Sequence, residues 1–171
     1  LERGIEDLLQ GQPGELLIRA PQVMSGYYKK EQESLSVIKD GWLYTGDVVT
    51  VDHEGYFYFR ERKKDLIKVG GFQVWPNEVE EVLRNIDGII DVAVAGVLEA
   101  EEGEKAIAWI VLTDDFQFDE LSLKKLCKEK LASYKVPEVF ISVREIPRTS
   151  TGKVLRRILV DNYLKQKKTP V

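Results

Sequence analysis

Residues 148–157 read RTSTGKVLRR, a short polar run in which Thr149, Ser150, Thr151 and Gly152 lead to Lys153. Such a run can hold a phosphate, open a helix or present a lysine. A nucleotide-binding P-loop needs a glycine five residues before the Gly-Lys pair and a Ser or Thr directly after it. Pro147 and Val154 occupy those places, so the P-loop is excluded. Two compatible readings remain. Thr151 caps a helix and leaves Lys153 in solvent, or the Gly152 turn holds the lysine at a loop tip for chemistry.

Three other places carry useful residue types. Asp47 in YTGD has two carboxylate oxygens with about four acceptor sites, which suits a vicinal diol. Arg62 in RERKK offers a rigid fork of donors. Lys68, Gly70 and Gly71 in KVGGF combine a charge with glycines that turn a hairpin or admit close backbone approach. A Gly-Asp turn, a solvated charge run and a plain hairpin account for the same residues without function. His53, the single histidine, falls in a hairpin loop as a surface residue. Cys127 shares helical spacing with Leu123, Leu126 and Leu131, which makes it a core residue. No Cys/His cluster has metal-ligand spacing, so no metal site is expected in these residues.

The elements that must position these side chains follow from periodicity. GELLIRAP (14–21) alternates as a strand, KKEQESLSVIKDG (29–41) reads as a short helix stopped at Asp40-Gly41, and the runs 47–51 and 56–60 form a hairpin through DHEG. From residue 65 the pattern changes to hairpin, α, β, β, α, β, α. Val79, Val82, Leu83 and Ile86 define a helix over 76–86, with Pro76 suited to its first turn. Runs 89–97, 105–113 and 139–143 are strands. Helices are expected over 119–131 and 153–168, the latter with Val154, Leu155, Ile158, Leu159 and Leu164 inward. The charge run 60–64 marks the junction.

Bulk properties narrow the class. Hydrophobic residues at 43% and charged residues at 32% describe a globular chain. A net charge of −4 gives no reason to expect nucleic acid, and no apolar run is long enough for a transmembrane helix. One cysteine cannot form an internal disulfide and suits a reducing compartment. The start LERGIEDLLQ has neither Met nor an apolar leader, as expected of a piece of a longer chain.

Four stretches in this order, GELLIRAPQVMSGYY (14–28), DGWLYTGDV (40–48), RERKKDLIKVGGFQVWPNEVEEVL (60–83) and YKVPEVFISVREIPRTSTGKVLRR (134–157), resemble the C-terminal third of the adenylate-forming superfamily. Within it the chain is most similar to fatty-acyl and aryl acid–CoA ligases. The departures are mild: Ala20 stands where glycine is frequent, and Gln73-Val74-Trp75 replaces a commoner Asn-Val-Tyr.

The resemblance implies an α+β fold. Residues 1–62 would end a large N-terminal domain as a β-rich, barrel-like subdomain. Residues 63–171 would form a mobile lid with a small central sheet flanked by helices. It also implies a two-step reaction: ATP and a carboxylic acid give an acyl-adenylate and pyrophosphate, then coenzyme A displaces AMP. Asp47 and Arg62 are the implied nucleotide contacts, and Lys64 the hinge. Lys153 is the implied catalytic lysine of adenylation. Lys68 is implied for the second step, with Gly70 and Gly71 against coenzyme A. ATP, Mg²⁺ and coenzyme A are the implied cofactors and co-substrates, with Mg²⁺ ligands, acyl pocket and phosphate loop on the N-terminal domain. The setting would be cytoplasmic or peripheral to a membrane. Alternatives are a peptide-synthetase adenylation domain, a luciferase-like enzyme, or a non-catalytic lid-like binding module. A scaffold needs none of the charges at Asp47, Arg62, Lys68 and Lys153, which argues against the last.

Overall fold

The computed structural model describes residues 11–99, 103–115 and 119–168. The chain divides into two compact units, Leu1–Lys64 and Asp65–Val171.

The first unit is an antiparallel sheet with one short helix. Its elements are β1 (Gly14–Ile18), α1 (Glu31–Val37), β2 (Ile38–Lys39), β3 (Trp42–Val51) and β4 (Phe57–Arg62). β3 is the backbone of the sheet and pairs with β1, β2 and β4. The expected helix over 29–41 is shorter than its sequence suggested. Asp40 (φ 52°) and Gly41 (φ 78°) do not stop a helix. They form the two-residue turn of a β2–β3 hairpin, in which Lys39 pairs with Trp42, and two positive φ values are what such a turn requires. β3 is likewise longer than the run 47–51. Thr45-Gly46-Asp47 lies inside it as an irregularity: β1 runs from Glu15 to Leu17 while β3 runs from Val48 to Tyr44. Surplus residues on one strand make a bulge, which bends the strand and re-aims its side chains.

The second unit is built on β7 (Ile89–Glu99), β8 (Gly103–Leu112) and β9 (Val139–Ser142). β7 and β8 form a long antiparallel pair, and β9 joins β8 in parallel. Both faces of this sheet are buried. Val92, Val94, Ala106, Ala108, Ile110 and Phe140 pack with Leu83 of α2 (Pro76–Arg84), with Leu123 and Cys127 of α3 (Glu120–Lys130), and with Ile67 and Val74 of a small hairpin. That hairpin is β5 (Ile67–Val69) and β6 (Phe72–Val74). The opposite face, with Ala93, Ala95, Val97, Ile107 and Trp109, packs against Leu159 and its neighbours on α4 (Arg156–Lys168). Alternation along each strand sends successive side chains to the two faces, which is why β7 and β8 read as nearly continuous apolar runs.

Two helix faces differ from the sequence pattern. Leu126 of α3 is 40% exposed and Ile158 of α4 is 42% exposed, although both were expected inward. α4 packs through Leu159, Val160, Tyr163 and Leu164 instead. The cause is its start at Arg156 rather than at 153, since residues 148–154 are folded into a separate turn. Cys127 is fully buried, and burial pushes its thiol up to about 11.

Candidate functional site

In the first unit, Asp47 and Arg62 face one another across β3 and β4 as a register pair. Arg62 Nε lies 2.7 Å from Asp47 Oδ1. That oxygen is buried yet accepts no aligned hydrogen bond among the described residues, so the contact is an ion pair set by charge and sheet register. Thr45 holds the bulge that carries Asp47: its hydroxyl donates to the Leu16 carbonyl at 2.8 Å and accepts from the Asp47 N–H at 3.1 Å. The Gly46 N–H, at a φ of +71°, donates to Glu15 Oε1 at 3.2 Å. Glu15 Oε2 is 2.6 Å from Lys63 Nζ. Lys64 is exposed in a 3-10 turn spanning Lys63–Asp65, where one unit gives way to the other.

In the second unit, Lys68 sits in the middle of β5, paired with Gln73. Gly70 (φ 56°) and Gly71 (φ 85°) form the two-residue turn between Val69 and Phe72. Apart from their chain neighbours, no described residue lies within 4 Å of where their Cβ atoms would stand. Both glycines are required here by positive φ, not by crowding. Phe72 stacks on Tyr134 with ring centroids 4.7 Å apart. The base of the hairpin is held by Glu104 of β8, whose Oε2 accepts the Lys68 N–H at 2.8 Å. Glu104 reaches that place because Gly96 lies beside it: a Cβ there would be 2.1 Å from Glu104 Oε1.

Lys153 lies in a different structure. The Thr149 N–H donates to the Lys153 carbonyl at 2.8 Å and the Gly152 N–H to the Thr149 carbonyl at 2.9 Å. The Thr149 hydroxyl accepts the Lys153 N–H at 3.1 Å. Arg148 and Val154 form an antiparallel bridge beneath. Thr151 therefore caps no helix. Its hydroxyl meets that of Thr149 at 2.9 Å within the turn, and Gly152 takes a φ of +84°. The Lys153 side chain is exposed and makes no ion pair with any described residue.

The two lysine-bearing loops are far apart. The β5–β6 hairpin packs on the α2/α3 face and is held by Glu104, which pairs with Leu98. The Lys153 turn precedes α4 on the other face and is tied to Asp91 of β7, where Arg148 Nη2 donates to both carboxylate oxygens at 2.8 and 2.9 Å. At about 3.4 Å per residue, Asp91 and Leu98 are about 24 Å apart along β7. The structure thus pairs Asp47 with Arg62, groups Lys68 with Gly70 and Gly71, and sets Lys153 apart from that group.

Four side chains that sequence patterning missed hold this arrangement: Asp91, Arg148, Glu80 and Arg156. Glu80 is buried on the inward face of α2. Its Oε1 accepts the Val94 N–H at 2.9 Å and Arg156 Nη2 at 2.8 Å, and its Oε2 accepts Arg84 Nη2 at 2.8 Å. Arg156 Nε donates to the Val94 carbonyl at 2.9 Å. The available signal was a glutamate at i+4 of the apolar series Pro76 (i), Val79 (i+3) and Leu83 (i+7), where helical periodicity turns it inward. No group of three or more His, Cys, Asp or Glu able to hold a metal ion occurs among the described residues.

Residues 78–153 match the AMP-binding enzyme C-terminal domain. That stretch lies wholly within the second unit. It is 43% identical over 148 residues to a long-chain-fatty-acid–CoA ligase of Bacillus subtilis, covering 86% of this chain and 26% of the ligase. It is 44% identical over 151 residues to the enzyme of the same name from Escherichia coli O157:H7, covering 88% and 27%. Among solved structures, ATP-bound MatB from Rhodopseudomonas palustris superposes with a TM-score of 0.85 at 32% identity, over 91% of this chain and 31% of that one. The chain spans about a quarter of the length of the curated relatives it matches. Covering 86–91% of this chain, these matches extend beyond residues 78–153 into both units.

Proposed function

We propose that this chain is the C-terminal part of an ATP-dependent acid–CoA ligase, acting on fatty acids, that forms an acyl-adenylate and then an acyl-CoA thioester. The observation that carries the reading is the placement of two exposed lysine loops toward opposite ends and on opposite faces of one long β7–β8 pair. A single active site can receive only one of them at a time. A two-step reaction that presents each loop in turn needs this separation, and a static binding module does not.

In the first step, carboxylate and α-phosphate bring two anions together, and Lys153 on the flank of its turn offsets their repulsion and the charge that develops between them. Asp47 accepts the ribose hydroxyls through its outer oxygen, while Arg62 fixes the carboxylate's orientation and turns its remaining donors to the nucleotide. Rotation about Lys64 then exchanges the faces. Lys68 faces the nucleotide in the second step, and the open space over Gly70 and Gly71 receives the pantetheine arm of coenzyme A. The described acidic groups do not fit a Mg²⁺ site, so no step is assigned to the metal through these residues. A cytoplasmic setting, at most peripheral to a membrane, suits this activity. No helix among the described residues is long and apolar enough to cross a bilayer.

The test measures the half-reactions separately in the complete ligase. Lys153→Ala should slow ATP–pyrophosphate exchange by about 10²–10³ while sparing thioester formation from supplied acyl-adenylate. Lys68→Ala should do the reverse. Equal losses in both steps from either substitution would overturn the two-face reading.

A further inference from the structure

We propose that Arg148 is a positioning residue for Lys153, with Asp91 as its anchor; this rests on the adenylating role given to Lys153 above. The Arg148 guanidinium bridges two unlike partners. Nη1 donates to the Gly152 carbonyl, the residue before Lys153, at 2.9 Å. Nη2 donates to both oxygens of Asp91 at 2.8 and 2.9 Å. The turn's own hydrogen bonds shape it but do not attach its tip to the sheet. Arg148 supplies that attachment, tying the carbonyl beside Lys153 to the first residues of β7.

The pair is partly exposed, with side-chain exposures of 38% for Arg148 and 30% for Asp91. Ion pairs in that setting add little to stability, so holding the fold together is a poor account of it. Charge bookkeeping favours a positioning role as well. Asp91 neutralises the guanidinium, so within the turn the unpaired cation is Lys153. A lysine cannot replace the arginine, because an ammonium lacks the planar fork that spans a carboxylate and a carbonyl together.

The test uses the complete ligase and four variants: Arg148→Ala, Arg148→Lys, the near-isosteric Asp91→Asn, and the double variant Arg148→Ala/Asp91→Asn. Displacing a catalytic group by about 1 Å costs on the order of 10²-fold. Arg148→Ala should therefore lower kcat for adenylate formation by about 10- to 100-fold, with KM for ATP and thioester formation from supplied acyl-adenylate unchanged. Asp91→Asn should fall in the same step, Arg148→Lys should recover only part of the loss, and the double variant should be no slower than Arg148→Ala, as expected for two residues acting as one unit. Adenylation at the wild-type rate in Arg148→Ala, equal loss in both half-reactions, or multiplicative losses in the double variant would each overturn the inference. Should Arg148→Ala not fold, Asp91→Asn alone decides by the same criteria. Lys153→Ala separates the two levels: if it slows adenylation and Arg148→Ala does not, positioning alone fails, and if Lys153→Ala has no effect, the functional reading fails first.

Discussion

The turn at 148–154 is tied to the sheet beside its tip, whereas the β5–β6 hairpin is tied at its base and left open at its end. In the turn, backbone bonds, the Thr149 hydroxyl and the Arg148 fork converge around Gly152 and Lys153. In the hairpin, Glu104 holds the Lys68 N–H and Phe72 leans on Tyr134, while no described residue beyond their chain neighbours crowds the Cβ side of Gly70 and Gly71. The difference follows the task assigned to each. A lysine that stabilises a developing charge gains from being fixed before the reaction, since no reorganisation is then needed. A hairpin that closes on a long flexible thiol gains from a tip free to settle against it.

The largest effect is expected where both loops are controlled at once. Lys64→Pro fixes φ near −65° and disfavours the helical conformation that Lys63 has in the 3-10 turn. Adenylation should persist while thioester formation drops roughly a hundredfold, once circular dichroism and melting have shown a native fold. A folded variant with both steps at wild-type rates would move the hinge elsewhere.

A stability effect of intermediate size should mark the support behind the Lys153 turn. Glu80→Ala removes the carboxylate shared by Arg156, Arg84 and the Val94 N–H. Breaking a buried pair on one side costs about 3–5 kcal/mol. Denaturant unfolding should show a loss of that order. A loss below about 1 kcal/mol would class the network with exposed ion pairs.

The smallest effect concerns the Lys68 side. Gly96→Ala places a Cβ against Glu104 Oε1 and within 3.0 Å of Ile67 Cγ2. The glutamate tip is flexible and should swing away, releasing the Lys68 N–H at about 1 kcal/mol. Thioester formation should weaken by about fivefold with adenylation unchanged, corresponding to that loss. An equal decline in both steps would mean that Gly96 serves the sheet alone.

Much of this was legible beforehand because the signals were local. Pro76 with the Val79–Leu83 spacing sufficed for α2, and the apolar runs sufficed for β7 and β8. Asp47, Lys68 and Lys153 could be singled out as candidates from short stretches. What could not be read were pairings across long sequence separations. Arg148 and Asp91 are 57 positions apart, and Arg156 and Glu80 are 76 apart. A glutamate on an apolar helix face looks like a dipole partner until its distant arginine is placed. Asp40-Gly41 was misread for a related reason: a helix stop and a hairpin turn use the same dipeptide, and only the pairing of Lys39 with Trp42 decides between them.

The single cysteine offers a different use. Cys127 is sealed between α3 and the sheet, and its thiol stays protonated well above the usual range. A thiol reagent therefore meets it only when this unit opens. Where reclosing outruns modification, the labelling rate divided by that of a free thiol gives the opening equilibrium directly. One native atom thus reports what fraction of the second unit stands open, with no introduced label to disturb the loops whose motion is in question.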